Sequence, residues 1–324
     1  MLNACQTVHS TISPEYDLRT HPLIGKIWSV KQQKFVRLET LNNELLRKNI
    51  ILLGETHDNA RHHQLQAQFV HYLSKEKLAN KQQLSLAFEM LEQGQQMTID
   101  TFISENYGQK IPVAQQIEML EKQLKWQQSG WPDWAYYRPI FSLAVKNQLP
   151  ILAANAKLKQ IRQIIKQGAS VLKPKEQQRL KKYRYKETLQ QKLEQEVQAA
   201  HCGMLPEKML APMLLAQQSR DLAMTQVLQK SMTQKNQQTI LIAGSGHTRT
   251  DYGIPFYLRQ ESPKLSLISI AFIEVSKQKL KAKDYAQAWS QTTQKLPFDY
   301  VWFTPRAKRD DQCEKMKAYM SKKH

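Results

Sequence analysis

Long apolar runs are missing from this sequence. Its purely apolar stretches are as short as Ile50 to Leu53 and Ile240 to Ala243, far below the roughly 18 residues that a helical membrane span requires. A chain that crosses a bilayer by helices is excluded. Cysteine is scarce as well, with only Cys5, Cys202 and Cys313 among 324 residues. Three cysteines cannot build a disulfide framework, and none has a neighbour at metal-ligand spacing, so the count alone leaves the redox compartment open. Acidic residues are outnumbered, 28 Asp and Glu against 47 Lys and Arg, for a formal charge of +19. Such an excess favours anionic partners, or it forms a solvated, solubilising surface, because the Lys residues alternate with Gln along helical stretches. Zinc-finger spacing, an RNP-like aromatic strand and a recognition helix are all lacking, which argues against nucleic acid as a partner. The Gly-X-Ser-X-Gly elbow is lacking too. Ser245 stands in Gly-Ser-Gly, but without the elbow a serine hydrolase is poorly supported.

What is present reads as an α/β protein. With 41% hydrophobic residues, a chain of this length buries roughly three quarters of its unfolded surface in one or two cores. Apolar or β-branched runs at Asn49–Leu53, Leu84–Glu89, Pro150–Ala154, Thr239–Ala243, Leu265–Phe272 and Tyr300–Phe303 predict strands buried on both faces, as in a mostly parallel sheet. Between them, His62–Leu73, Ile111–Gln127, Trp134–Val145 and Leu210–Leu228 carry apolar residues at helical spacing and should cover both faces of that sheet. The stretch from Lys157 to Ala200, rich in Lys, Gln and Glu, predicts a helical insertion or lid, at about 157–206, projecting from the sheet. Residues 26–324 are expected to form a single domain, and residues 1–25 a tether. Within that tether Leu2-Asn3-Ala4-Cys5 looks like the end of a bacterial lipoprotein signal whose positive and apolar regions are absent from this chain, which makes Cys5 the candidate lipidation site.

Three motifs carry the candidate chemistry. Ile51-Leu52-Leu53-Gly54-Glu55-Thr56-His57-Asp58 is an apolar strand that runs into a glycine and then into polar groups, and in parallel α/β sheets ligands bind beyond the carboxyl ends of the strands. Gly54 would allow the backbone to turn there, and Asp58 or Asn59 would cap the next helix. That helix opens with Arg61, His62 and His63. Thr239 to His247 repeats the order of strand, Gly turn and His, and Leu86-Ala87-Phe88-Glu89 ends a strand on a carboxylate. A buried Glu89 needs a histidine, Arg or metal beside it. Glu55, His57, Glu89 and His247 are therefore expected to share one site, and imidazole and carboxylate serve equally as metal ligands or as general acids and bases.

The string from Leu52 to Gln64, Leu-Leu-Gly-Glu-Thr-His-Asp-Asn-Ala-Arg-His-His-Gln, resembles the opening motif of the ChaN family, haem-binding lipoproteins within the wider TraB/Tiki and erythromycin-esterase-like group. Phe88-Glu89-Met90, Trp131-Pro132-Asp133-Trp134, His201-Cys202-Gly203-Met204-Leu205-Pro206, Ala216 to Asp221 with Met224, and Gly244 to Pro255 continue the resemblance in order. Ser245 stands where the family usually has Asn. The resemblance implies a doubly covered α/β sheet with a helical insertion, haem as cofactor, a role in haem or iron acquisition and an outer-membrane lipid anchor. Relatives in the wider group use equivalent Glu and His positions for hydrolysis or metal-dependent proteolysis. A metal-dependent hydrolase is thus the alternative reading.

Haem needs an apolar slot, an axial donor and cations for its two propionates. Tyr183 and Tyr185 lie in Lys181-Lys182-Tyr183-Arg184-Tyr185-Lys186, where positive charge would favour a phenolate and pair with propionates; the same string also reads as a solvated basic helix face. His201 is a second axial or propionate donor, Tyr137 reads as packing or supporting, and Cys202 ranks last as a ligand. Arg220 and Asp221 either lock their helix to the sheet or touch ligand. A flat ligand and a projecting insertion would suit a haem-sharing homodimer, and an outer-membrane haem or iron receptor is a further expected partner.

Overall fold

A computed structural model describes residues 20–80, 82–232, 237–289 and 295–321. The chain forms, in order, β1 (Ile27–Ser29), β2 (Lys34–Val36), α1 (Leu38–Leu45), β3 (Ile50–Glu55), α2 (Ala60–Ala79), β4 (Gln83–Glu92), α3 (Gln96–Asn106), α4 (Val113–Leu124), α5 (Trp134–Lys146) and β5 (Ile151–Asn155). It continues through α6 (Leu158–Gln167), α7 (Pro174–Lys182), α8 (Glu187–Ala200), α9 (Glu207–Lys230), β6 (Gln237–Gly244), α10 (Ile254–Glu261), β7 (Leu267–Glu274), α11 (Ala286–Trp289), β8 (Tyr300–Thr304) and α12 (Gln312–Ser321).

The strands make one sheet of order β2-β1-β8-β7-β3-β6-β4-β5. The six strands from β8 to β5 run parallel, while β1 is antiparallel to both of its neighbours. These six are the apolar runs that the sequence marks as strands, and their continuous apolar character has a direct cause. Along β3, Ile51 and Leu53 join the core under α1, α2, α4 and α5, whereas Ile50 and Leu52 pack against Met224 and Leu228 of α9 and Ile254 and Leu258 of α10. Alternate side chains meet a helical layer on either face, so no position along the strand is left for water. The fold is α/β, a mostly parallel central sheet covered by helices on both faces.

In three places the structure differs from what the sequence predicts. Residues 21–25, placed in the tether, belong to the folded body: Leu23 is buried with Val301 and Phe303, and the Gly25 N–H donates to Phe303 O at 2.9 Å. Cys5 lies outside the described residues. The insertion does not simply project, because Ile161 and Ile164, one turn apart on α6, bury against Ala216 of α9, and Leu193 of α8 buries against Leu214. It forms a second helical layer on α9. Finally, Cys202 and Cys313 form a disulfide, which ties the end of the insertion to α12 and rules out thiolate ligation by Cys202.

Candidate functional site

Three parallel strands deliver the site at their carboxyl ends. Glu55 is the last residue of β3, and β6 ends on Gly244, after which a tight turn, closed by His247 N–H donating to Gly244 O at 2.9 Å, sets His247 over the sheet. In β4 the register with β5 shifts between Phe88 and Glu92, and Glu89 sits in that irregular stretch. Such bulges re-aim side chains next to sites.

Glycine contributes through close approach. Gly54 lies inside β3, not at a turn as the sequence suggests, and a Cβ there would come within 2.3 Å of Thr248 Oγ1 and 3.1 Å of Ser245 Cα. At Gly244 a Cβ would fall 2.9 Å from His57 Nε2. Both glycines therefore leave room for the loop and the imidazole that pack on them.

The polar groups form one alternating chain of imidazoles and carboxylates. Its first link joins His63 Nδ1, 3.0 Å from Glu55 Oε2, to a carboxylate whose other oxygen lies 2.8 Å from His57 Nδ1. The far nitrogen of His57 faces Glu89 Oε2 at 3.8 Å, Glu89 Oε1 lies 3.2 Å from His247 Nε2, and His247 Nδ1 meets Asp221 Oδ1 at 2.5 Å. Glu89 also accepts from Gly244 N–H at 2.7 Å. The Tyr137 hydroxyl, fully buried, donates to Glu55 Oε1 at 2.8 Å. Only His57 reaches solvent to any extent, with 33% of its side chain exposed under the edge of Trp131, 5.0 Å between ring centroids.

Hydrogen-bond partners fix the charge states. His63 bonds only acceptors, the Gln66 side-chain oxygen at 3.1 Å and the His57 carbonyl at 2.9 Å, and its Nδ1 also faces the Glu55 carboxylate. Gln66 donates its own amide to Leu53 O, so its oxygen is the atom turned to His63, which is an imidazolium. His62 is the opposite case. It accepts from Thr56 N–H at Nδ1 and donates from Nε2 to Thr304 Oγ1, a neutral tautomer, and burial pushes its pKa down to about 3.

Burial opposes charge at each other member, and the neighbours decide the outcome. For Glu55 the His63 charge and the hydrogen bonds from His57 and His63 outweigh desolvation and hold the carboxyl well below its ordinary range. Glu89 is likewise brought down to about 2, by the His247 and His57 charges and the Gly244 N–H. Against the same desolvation, Glu89 and Asp221 raise His247 to about 10, Glu89 and Glu55 raise His57, and Glu55 raises His63. Asp221 alone goes with burial, which raises its carboxyl despite the His247 charge.

Glu55, His57, Glu89 and His247 are thus brought together, with both nitrogens of His247 and both oxygens of Glu89 engaged inside the cluster. Among the described residues no group of three or more His, Cys, Asp or Glu is arranged to hold a metal ion. Two further members, His63 and Asp221, are named by the sequence but not assigned by it to this cluster. His63 is within the first motif, but spacing alone cannot say which of its three imidazoles turns inward. Asp221 does have a signal: it falls seven residues after Leu214 and three before Met224, a carboxylate on the buried stripe of α9.

The haem-ligand candidates lie elsewhere. Tyr185 is buried among Tyr252, Phe256 and Tyr257 and accepts from Gly253 N–H at 3.3 Å. Burial pushes its phenol up, the reverse of the phenolate that the surrounding Lys residues suggested. Tyr183 is half-buried, edge-on to Tyr257, with Lys182 over its ring. His201 is the half-buried C-cap of α8, its Nδ1 donating to Val197 O at 2.7 Å. Arg220 bonds Asn155 Oδ1 at 3.0 Å, which ties α9 to the end of β5.

The family model described as haem-binding uptake, Tiki superfamily, ChaN matches residues 41–258. Among solved structures the fold is similar to ChaN of Campylobacter jejuni, described with cofacial haem binding, at a TM-score of 0.66 and 22% identity over 85% of this chain and 95% of that one. A mutant erythromycin esterase, EreC, in its open conformation aligns at a TM-score of 0.42 and 14% identity over 92% of this chain and 86% of that one. No curated protein matches the chain. With two thirds of its length matched by that model, the chain belongs to the haem-binding uptake family of the Tiki superfamily, ChaN.

Proposed function

We propose that this chain binds haem in haem or iron acquisition, and that His201 would hold its iron. The observation that carries the assignment is the tautomer of His201. Its Nδ1–H donates to the Val197 carbonyl, which leaves the lone pair on Nε2 of a half-buried residue, the arrangement of a metal-ligating histidine held by its other nitrogen. The neighbouring disulfide anchors that turn to α12. Tyr183 is the second candidate, being half-exposed where Tyr185 and Tyr137 are buried. Lys and Arg around the insertion supply counter-charge for the propionates. A bound haem would contribute the iron that carries its own redox and ligand chemistry.

Other features support the cellular setting of this reading. A disulfide forms and persists in oxidising compartments, which suits an outer-membrane lipoprotein acylated at Cys5. In that setting the partners would be a second, haem-sharing copy and an outer-membrane receptor. A hydrolytic role would rest instead on His57, the solvent-facing member of the buried chain.

A haemin titration followed by visible absorption separates the two. Expected is a saturable Soret shift that His201→Ala abolishes and His247→Ala leaves in place. A shift no greater than haemin gives on an unrelated basic protein would sink the haem reading, and loss in Tyr183→Phe instead would move the axial role.

A further inference from the structure

The cations that the sequence spaces among Gln residues are gathered by the fold. Between Lys157 and Lys186 the chain carries eleven Lys and Arg against one acid, Glu176, a net +10 of the chain's +19. All eleven except Arg179, which pairs with Glu261, are exposed. On α6, Lys159, Arg162 and Lys166 share one face by their spacing, opposite the buried Ile161 and Ile164. Within this lobe a groove of about 440 Å³ opens between α7, α8 and α9. Leu180, Leu193, Leu214 and Leu215 line it, and Lys181 and Arg184 are the cations that border it. Its lining holds no imidazole, phenol, thiol or thioether, the donors an iron centre would use, so the groove does not serve the haem reading.

We propose that this lobe docks on an anionic lipid bilayer and that the groove takes one acyl chain of an anionic lipid. Leucines suit the chain, and Lys181 and Arg184 suit the headgroup it carries. Ten exposed cations exceed what a single carboxylate or haem would engage; they match a surface bearing many anions. Single-stranded nucleic acid fits less well, because such sites stack bases on exposed aromatic rings, and of the lobe's own tyrosines Tyr185 is buried and Tyr183 is half-buried with its ring edge-on to Tyr257.

The test is vesicle flotation of the full chain carrying Cys5→Ser, so that no N-terminal acyl group contributes. Vesicles of phosphatidylcholine alone are compared with a phosphatidylcholine and phosphatidylglycerol mixture. Binding is expected only to the mixture, weakened by salt, and reduced roughly twenty-five-fold by K181Q with R184Q, at about five-fold per charge. Ala211→Trp, which fills the groove from an exposed position on α9, should remove the salt-resistant part of the binding. Lys31→Gln with Lys34→Gln, at the opposite edge of the sheet, is the control and should leave binding unchanged. Equal flotation with neutral vesicles, an equal loss in that control, or tighter binding to a single-stranded oligonucleotide at the same salt would overturn the docking. An Ala211→Trp protein that floats like its parent would overturn the acyl-chain site.

Discussion

Asp221 reaches the site from a helix, whereas Glu55 and Glu89 reach it from strands. It comes from α9, on the opposite side of His247 from Glu89, and supplies the second of the two carboxylates between which the imidazolium is clamped. Taking away one partner of a buried ion pair leaves the other charge uncompensated. Asp221→Asn is therefore expected to cost about 3–5 kcal/mol in urea unfolding and to bring the His247 titration, followed by NMR, down from its raised value. An unmoved His247 would mean that Glu89 alone holds the proton. The same scale explains the glycines. Gly54 and Gly244 are required by atoms that arrive from distant parts of the chain, Thr248 and His57 respectively.

At the scale of elements, the insertion is joined to the body by polar and covalent ties as much as by its few apolar side chains. Fully buried Arg249, in the loop after β6, pairs with Glu196 of α8 at 2.7 Å and with Asp251 at 2.7 Å, and lies over the Tyr252 ring. Arg179 of α7 holds Glu261 of α10 through two hydrogen bonds. The Cys202–Cys313 bridge closes a separation of 111 residues, and constraining so long a loop in the unfolded chain stabilises the folded one by about 2–4 kcal/mol. Denaturation with and without reductant should show a loss of that size, and Cys313→Ser should reproduce it in the absence of reductant. A loss confined to the reductant-treated parent, with the variant at full stability, would contradict the bridge.

At the scale of the whole molecule, the alternating chain of imidazoles and carboxylates makes stability depend on pH at both ends. Glu89 is lowered from 4.5 to about 2, so its contribution is complete above pH 4.5 and is lost as the pH falls toward 2. His247 is raised from 6.5 to about 10; its contribution is complete below pH 6.5 and is lost as the pH rises through 10. Asp221, raised by burial, acts in the opposite sense and softens the acid limb. Melting temperature against pH should show a plateau between about pH 5 and 6.5 with a decline on either side. A stability that keeps rising from pH 6.5 to 10 would rule out a charged His247.

The sequence by itself determined the parallel sheet, because a strand covered on both faces must be apolar at every position, and six such runs are plain to read. It also determined which strand ends are polar, and hence that Glu55, His57, Glu89 and His247 face one crevice. The short β1–β2 hairpin is not legible there, since three-residue strands are too brief to establish a period. Tertiary structure alone decided the rest. Whether Tyr185 is a buried phenol or an exposed ligand depends on Tyr252, Phe256 and Tyr257, more than sixty residues along the chain. The partner of Cys202, the third carboxylate of the cluster and the gathering of the cations likewise follow from which helices lie side by side. Local spacing fixes the face on which a side chain stands, but not what meets that face from elsewhere in the chain.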